Sequence, residues 1–193
     1  MILNNNINYI VSGLERSGTS MLMQILHAGG VPVSFDDSRL SDQSNPKGYY
    51  ELAGGKIINR LMDGTFPLED YRGKFVKITA YGLKYLPKGN YRIIYSERHI
   101  EEILDSMEKM AGIKDKNREK TRETFIKLNL MIKNQIISRD DTEVLLVNYN
   151  RILTNPREDI KKIRVFLGLP ENVIGKMIQV VDDNLYRQRI KDS

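Results

Sequence analysis

The chain has 193 residues, of which 40% are hydrophobic and 28% charged, and this length and composition are typical of a single globular domain. It contains no cysteine and only two histidines, so the sequence excludes disulfides, thiolate nucleophiles and cysteine-based metal sites, and a histidine metal site is not expected. The net charge of +5 favours anionic ligands, but there is no basic stripe with interleaved aromatic residues, so nucleic-acid binding is not expected.

The first predicted unit is a strand over residues 7–12, followed by a loop bounded by Gly13 and Gly18 and then by a helix. In such a unit the backbone N–H groups of the loop and the positive end of the helix point at one place, which forms an anion site. The spacing of the two glycines is that of a nucleotide-binding P-loop, but Thr19 stands where that motif has lysine. The nearest cation is Arg16, inside the loop. The loop is therefore suited to an anion smaller than a triphosphate, whose β- and γ-phosphates the P-loop lysine reaches.

A long polar loop is predicted over residues 36–51, after a short strand at residues 31–33. The turn signal Asn-Pro-Lys-Gly lies within it at residues 45–48, and the loop ends in two tyrosines and Glu51. A loop of this length in a compact domain is usually functional or disordered.

The rest of the chain alternates between strand and helix patterns. The predicted strands cover residues 74–79, 91–96 and 143–148, and the predicted helices cover residues 18–28 and 115–139. A further helix is predicted after residue 100, with Ile103, Leu104, Met107 and Met110 on one face, and a last helix ends at 166–170. The strand at residues 143–148 lacks alternation, which predicts burial on both faces. The charged cluster at residues 114–123 is expected either to be solvated or to cover a binding site.

The segment Arg16-Ser17-Gly18-Thr19-Ser20 resembles the 5′-phosphosulfate-binding loop of sulfotransferases, in which a basic and a small residue precede Gly-Thr-Ser or Gly-Thr-Thr at the start of a helix. Residues 45–51 are similar to a segment that borders the acceptor pocket in bacterial-type members, and residues 149–170 are similar to a structural signature of the family. The resemblance implies a P-loop-containing three-layer α/β/α fold with a central, mostly parallel sheet of about five strands, in one sulfotransferase-like domain over residues 1–193. It also implies an enzyme that moves a sulfuryl group from 3′-phosphoadenosine 5′-phosphosulfate (PAPS), its co-substrate, to a hydroxyl or an amine.

The resemblance further implies which residues bind PAPS. The family places an arginine at the end of a strand and a serine eight residues later to bind the 3′-phosphate, and Arg98 and Ser106 have that spacing. Outside that context the pair would be ordinary surface residues. Late basic residues approach the nucleotide in bacterial-type members, so Arg187 and Arg189 are candidates, with a solvated tail as the alternative. The predicted cofactor-binding residues are Arg16, Ser17, Gly18, Thr19, Ser20, Met21, Arg98, Ser106, Arg187 and Arg189.

Three residues are predicted to act in catalysis. Arg16 would stabilise the departing phosphate electrostatically, because arginine keeps its charge and is a poor proton donor. Thr79 occupies the position of the histidine base of cytosolic members, so Glu51 is the candidate base, with two aspartates at residues 36–37 behind it. Lys77 would assist the transferring sulfuryl group. The alternatives are a surface acid at Glu51 and a strand-edge lysine at Lys77.

Two other functions stay open at the level of sequence: a P-loop small-molecule kinase that uses ATP, and a catalytically silent nucleotide-binding module. For a sulfotransferase no metal is expected, because PAPS lacks the β,γ-oxygen pair that Mg²⁺ bridges in kinases. The expected acceptor is a small molecule or a glycan, and the sequence leaves its identity and the oligomeric state open. No run approaches the ~18 apolar residues of a membrane span, and the N-terminus lacks a signal-peptide pattern, so a cytoplasmic location is expected.

Overall fold

The computed structural model describes residues 2–43 and 45–182 and has a central sheet of four parallel strands. The strands are β1 (Asn8–Gly13), β2 (Phe75–Lys77), β3 (Tyr91–Glu97) and β4 (Thr142–Asn148). Their order across the sheet is β2-β1-β3-β4, and Ile10 of β1 lies opposite Val76 and Ile93. All six residues of β1 are buried, as expected for a strand that has neighbours on both sides and is covered on both faces.

Helices cover both faces of the sheet. They are α1 (Thr19–Ala28), α2 (Ile57–Met62), α3 (Ile100–Ala111), α4 (Arg118–Ile137), α5 (Tyr149–Thr154), α6 (Pro156–Leu167) and α7 (Ile174–Gln179). Because side chains alternate along a strand, Tyr9 and Val11 join one apolar core with α1, α6 and α7, whereas Ile10 joins another with α2, α3 and α4. The predicted three-layer α/β/α arrangement is confirmed. Among the described residues, no helix has the length and apolar character needed to cross a membrane.

The predicted number of about five strands is wrong, because residues 31–33 do not form a strand of the sheet. Val33 makes an isolated bridge with Phe75. The Phe75 N–H donates to the Pro32 carbonyl (2.9 Å), and the Ser34 N–H donates to the Phe75 carbonyl (2.8 Å). Pro32 has no N–H to donate, so the pairing does not extend towards residue 31, and the Asp36 N–H donates to the Glu51 carbonyl instead of to β2. The sheet within the described residues therefore has four strands.

The prediction that residues 143–148 are buried on both faces is also wrong. β4 is an edge strand of the sheet, and Glu143, Leu146 and Asn148 are exposed, whereas Val147 is buried. A continuous apolar run predicts burial on both faces only for a strand inside a sheet. The sequence pattern does not show which strand stands at the edge.

The charged cluster at residues 114–123 packs against the neighbouring helix through Arg118. Its guanidinium contacts three carboxylates of α3, Glu101 at 2.7 Å, Asp105 at 2.8 Å and Glu108 at 3.0 Å. These pairs are partly exposed, so each one adds little stability by itself. Together they fix the start of α4 against α3.

Candidate active site

The loop between β1 and α1 is a tight turn in which Gly13, Arg16 and Gly18 have positive φ angles of 152°, 64° and 94°. Glycine adopts such angles without strain, whereas a residue with a side chain is uncommon there. A Cβ atom at Gly18 would also lie 2.1 Å from the ring of Tyr149. The turn is therefore packed closely against Tyr149, and it holds the Arg16 backbone in a strained conformation.

The first turn of α1 presents its backbone N–H groups to the space beside this loop. Gly18 is the N-cap; among the described residues no side chain caps the helix, and its first turn contains no acidic residue. The partial positive charge of the helix end is thus not offset locally. Thr19, Ser20 and Met21 line the adjoining cavity. This arrangement is suited to a phosphate or sulfate group.

Ser17 is placed differently from the prediction. It is fully buried, its N–H donates to the Leu14 carbonyl at 3.1 Å, and its hydroxyl lies beneath Gly13, 2.4 Å from where a Cβ atom would be. Its own carbonyl accepts a hydrogen bond from the Ser96 hydroxyl at 2.6 Å. Ser17 therefore anchors the loop to β3, and the position of its hydroxyl does not support the predicted role of this side chain in cofactor binding.

A cavity of about 500 Å³ lies between the glycine loop, the polar loop that contains Glu51, the end of β2 and α3. A cavity of this size is in the range that holds small molecules. The predicted site residues that line it are Arg16, Gly18, Thr19, Ser20, Met21, Glu51, Lys77, Arg98 and Ser106. Arg187 and Arg189, which were also predicted, lie outside the described residues.

Glu51 stands between two cations at the edge of this cavity. One carboxylate oxygen, Oε1, lies 2.8 Å from Lys77 Nζ, and the other, Oε2, lies 3.0 Å from Arg39 Nη1. Lys77 also donates to the Ser20 hydroxyl at 3.2 Å and to the Tyr49 carbonyl. The side chains of Lys77 and Glu51 are only 5% and 11% exposed. The lysine thus joins the end of β2 to the start of α1 and to the polar loop.

The charges around Lys77 make it a better proton donor than an exposed lysine. Burial lowers the pKa of its ammonium group, Glu51 opposes that effect, and the nearby charges of Arg39 and Arg16 lower the pKa further. This part of the cavity therefore holds three cations, of which Lys77 and Arg39 pair with its carboxylate Glu51. Such an excess of positive charge favours an anionic ligand.

Arg98 belongs to a buried network at the other end of the cavity. Its Nε lies 2.9 Å from Glu102 Oε2, and these side chains are 6% and 1% exposed. Its Nη1 donates to the Arg16 carbonyl at 2.9 Å, and its guanidinium lies over the Tyr149 ring at 4.5 Å. The Asn150 amide donates to both oxygens of Glu102 at 2.9 Å. Arg98 therefore fixes the backbone of the glycine loop.

Arg16 reaches across to α3, where its Nε donates to the Ser106 hydroxyl at 2.9 Å. These two residues are 90 positions apart in the sequence, and the prediction assigned them to opposite ends of one nucleotide. The structure brings Arg16, Arg98 and Ser106 into one connected group. The cation of the loop therefore lies next to the residues expected to bind the 3′-phosphate.

The sequence interpretation missed Arg39, Tyr49, Glu102 and Asn150. Arg39 stacks on the Tyr49 ring at 3.5 Å and pairs with Glu51, contacts that depend on how the polar loop folds. Glu102 follows Arg98 by four residues, and although Arg98 lies just before α3, this spacing could have suggested the ion pair. Tyr149 was noted only as part of a structural signature.

Asp36, expected to lie behind Glu51, stabilises the polar loop instead. Its carboxylate accepts from the Ala53 N–H at 2.7 Å and from the Ser38 backbone and hydroxyl, and the hydrogen bond from the Ser38 side chain is the main cause that lowers its pKa. Its own N–H donates to the Glu51 carbonyl at 2.9 Å. These bonds fix the backbone at Glu51.

The chain resembles known proteins in sequence family and in fold. A family model described as a sulfotransferase domain matches residues 7–189. The sulfotransferase domain of the olefin synthase from Synechococcus PCC 7002 has 16% identity and a TM-score of 0.55, with 97% of this chain and 84% of that chain covered. Mouse sulfotransferase SULT7A1, complexed with PAP, has 13% identity and a TM-score of 0.59, with 97% of this chain and 68% of the mouse chain covered.

Sulfotransferase STF1 from Mycobacterium tuberculosis H37Rv is similar to the same extent, with 13% identity, a TM-score of 0.54, and 92% of this chain and 72% of that chain covered. A comparison with curated proteins found no match. At these identities the structural similarity establishes a shared fold.

Proposed function

Because the chain belongs to the sulfotransferase family, whose model matches residues 7–189, we propose that it moves a sulfuryl group from PAPS to a hydroxyl or amine of a small acceptor. The observation that carries the proposal is the glycine loop, where a single arginine and the uncapped start of α1 face a cavity and Thr19 replaces the P-loop lysine. The mouse structure with this fold is complexed with PAP, the bisphosphate that remains when PAPS has lost its sulfuryl group.

The residues around the cavity fit PAPS at both of its anionic ends. Arg16 and the N–H groups at the start of α1 would bind the 5′-phosphosulfate. Arg98 and Ser106 would bind the 3′-phosphate. Arg16 contacts Ser106, so its guanidinium would lie close to both anionic groups of a bound PAPS. One arginine would then interact with both ends of the ligand.

The chemistry places different demands on Arg16, Glu51 and Lys77. PAPS, when bound, supplies a sulfuryl group whose bond to the 5′-phosphate oxygen breaks as the acceptor oxygen attacks the sulfur. Arg16 stabilises the negative charge that builds on that phosphate oxygen. Glu51 takes the proton of the acceptor, and its neutralisation weakens the contact with Lys77. The Lys77 ammonium is then available to the sulfuryl oxygens.

Changing Glu51 to glutamine tests this function and the assigned base together. Glutamine keeps the size of the side chain but cannot take a proton, so kcat is expected to fall by about 10²–10⁴-fold, the usual contribution of a general base. The affinity for PAP should change little, because Glu51 does not belong to the nucleotide-binding group. The measurement uses ³⁵S-labelled PAPS with a panel of phenols, alcohols and sugars, and calorimetry with PAP.

The matched control is Glu143→Gln, which removes a carboxylate whose side chain is 61% exposed and which pairs with Arg92 on the surface. This variant should transfer sulfuryl groups at the wild-type rate. Full turnover by Glu51→Gln would remove Glu51 from the mechanism. A wild-type protein that binds PAP but transfers no label to any member of the panel would contradict the proposed activity.

A further inference from the structure

Thr79 has a buried hydroxyl that the fold does not use. It is the N-cap of the 3₁₀ helix Ala80–Tyr85, and its carbonyl accepts from the Gly82 N–H at 2.9 Å. A threonine at an N-cap usually also accepts a backbone N–H with its side chain, but the Thr79 side chain makes no such bond. Its Oγ1 is buried and has no hydrogen-bond partner in the part of the chain that the structure describes.

Thr79 belongs to the wall of the candidate active site. It lines the same cavity as Glu51 and Lys77. Lys77 and Thr79 are two residues apart in an extended segment, so their side chains project to the same side, whereas Ile78 projects into the core. A rotation of 120° about the Cα–Cβ bond moves the threonine hydroxyl to the position that its methyl group occupies. The hydroxyl can therefore meet a ligand that enters beside Lys77.

The surroundings of Thr79 differ from those of the nucleotide-binding group. Arg16, Arg98 and Ser106 lie on the glycine loop, just before α3 and on α3, whereas Thr79 begins the 3₁₀ helix that contacts α2, and α2 contributes Ile57 and Ile58 to the cavity. Beside the charged pair of Glu51 and Lys77, this side of the cavity therefore combines one unused hydroxyl with apolar side chains. A ligand that fits it has an apolar body and one polar group.

We propose that Thr79 positions the acceptor by a hydrogen bond and that the acceptor is an alcohol or phenol with an apolar body. This inference rests on the proposed sulfuryl transfer. A buried hydroxyl without a partner destabilises the folded protein. The ligand supplies the missing partner, and the threonine hydroxyl holds the acceptor oxygen close to Glu51 and Lys77.

The test compares two probes of nearly equal shape, 4-fluorophenol and 4-fluorotoluene, by ¹⁹F NMR titration of the protein saturated with PAP. The wild-type protein should bind the phenol about two- to tenfold more tightly, the worth of one neutral hydrogen bond. Thr79→Val keeps the shape but removes the hydroxyl, so it should lower this preference to the part that Glu51 and Lys77 provide. Thr79→Ser keeps the hydroxyl and should retain the full preference.

Thermal unfolding gives a second readout. Without ligand, Thr79→Val should raise the Tm by about 2–4 °C, because it removes an unsatisfied buried hydroxyl. Ser12→Ala is the matched control, since the Ser12 hydroxyl is also buried without a partner among the described residues but does not line the cavity. The Ser12→Ala variant should have a higher Tm than the wild type and the same preference for the phenol.

Several outcomes would overturn the inference. A preference that is as large in Thr79→Val as in the wild type, or a wild-type protein with no preference for the phenol, would show that Thr79 does not hold the acceptor. A fall in the Tm of Thr79→Val would show that the hydroxyl has a structural role. A protein that cannot be saturated with PAP would instead refute the proposed sulfuryl transfer, so the two failures are distinguishable.

Discussion

Replacing Arg16 by alanine is expected to lower kcat for sulfuryl transfer by about 10²–10³-fold, the effect of removing one preorganised donor from a developing negative charge. The side chain lines the cavity, and its contact with Ser106 at 2.9 Å holds it in place. Lysine would keep the charge but lose the forked donor, so Arg16→Lys should recover part of the rate. Steady-state kinetics with ³⁵S-labelled PAPS measures kcat for the wild type, Arg16→Ala and Arg16→Lys.

The Arg16→Gly variant distinguishes a loss of catalysis from a loss of stability. Arg16 has a φ of 64°, a conformation that is unfavourable by about 1–2 kcal/mol for a residue with a side chain. Arg16→Gly should therefore be as inactive as the alanine variant and yet as stable as the wild type or more stable in urea unfolding. The exposed pair of Arg122 with Glu119 supplies a control, and Arg122→Ala should keep the wild-type kcat. If Arg16→Ala and Arg16→Gly both keep the wild-type kcat, Arg16 does not stabilise the departing phosphate.

Replacing Glu102 by alanine is expected to lower the free energy of unfolding by about 3–5 kcal/mol, because it leaves a buried guanidinium without its carboxylate. Arg98 and Glu102 are almost fully buried, and Arg98 also holds the Arg16 carbonyl. Urea unfolding followed by circular dichroism measures the loss. Glu101→Ala is the control on the same helix, because Glu101 pairs with Arg118 at the surface, where such pairs contribute about 0–1 kcal/mol. Equal losses in the two variants would contradict the importance of the buried pair.

The double variant Arg98→Met with Glu102→Leu tests what the buried pair does for binding. Replacing both charges by apolar residues of similar size often leaves stability unchanged. Here it also removes the hydrogen bonds of Glu102 with the Asn150 amide and of Arg98 with the Arg16 carbonyl, so this protein should fold but unfold at a lower urea concentration than the wild type. It should lose the preference for adenosine 3′,5′-bisphosphate (PAP) over AMP, because the cation assigned to the 3′-phosphate is gone. A folded double variant that keeps the preference would show that Arg98 serves only to hold the loop.

The local patterns of the sequence predicted the elements that carry the site. The apolar run of β1, the two glycines and the amphipathic start of α1 determine their own conformation through nearest neighbours, and the structure has the strand, turn and helix in those places. The closeness of Arg98 and Ser106 to the glycine loop could be predicted for another reason, which is the parallel arrangement of the strands. Parallel strands bring their carboxyl ends to one edge of the sheet, so residues at those ends meet.

Other features depend on contacts that no local pattern encodes. The position of β4 at the edge of the sheet decides its exposure. A fifth strand does not form because Pro32 lacks an N–H and the Asp36 N–H donates to the polar loop. The pairing of Glu51 with Arg39 and Lys77 arises from the fold of the polar loop. Ser17 matches the loop motif by residue type, but the turn directs its hydroxyl towards Gly13. These placements required the three-dimensional structure.

Calorimetric titration of the wild-type protein with PAP, AMP and ATP plus Mg²⁺ measures most directly which anion the loop binds. If Arg16 and the start of α1 hold a single phosphate, with Arg98 and Ser106 on the 3′-phosphate, PAP should bind about tenfold or more tightly than AMP, the worth of one charge-assisted hydrogen bond. ATP with Mg²⁺ should bind more weakly than PAP, because no lysine follows Gly18. Tighter binding of ATP with Mg²⁺ than of PAP, or equal binding of PAP and AMP, would contradict sulfuryl transfer from PAPS.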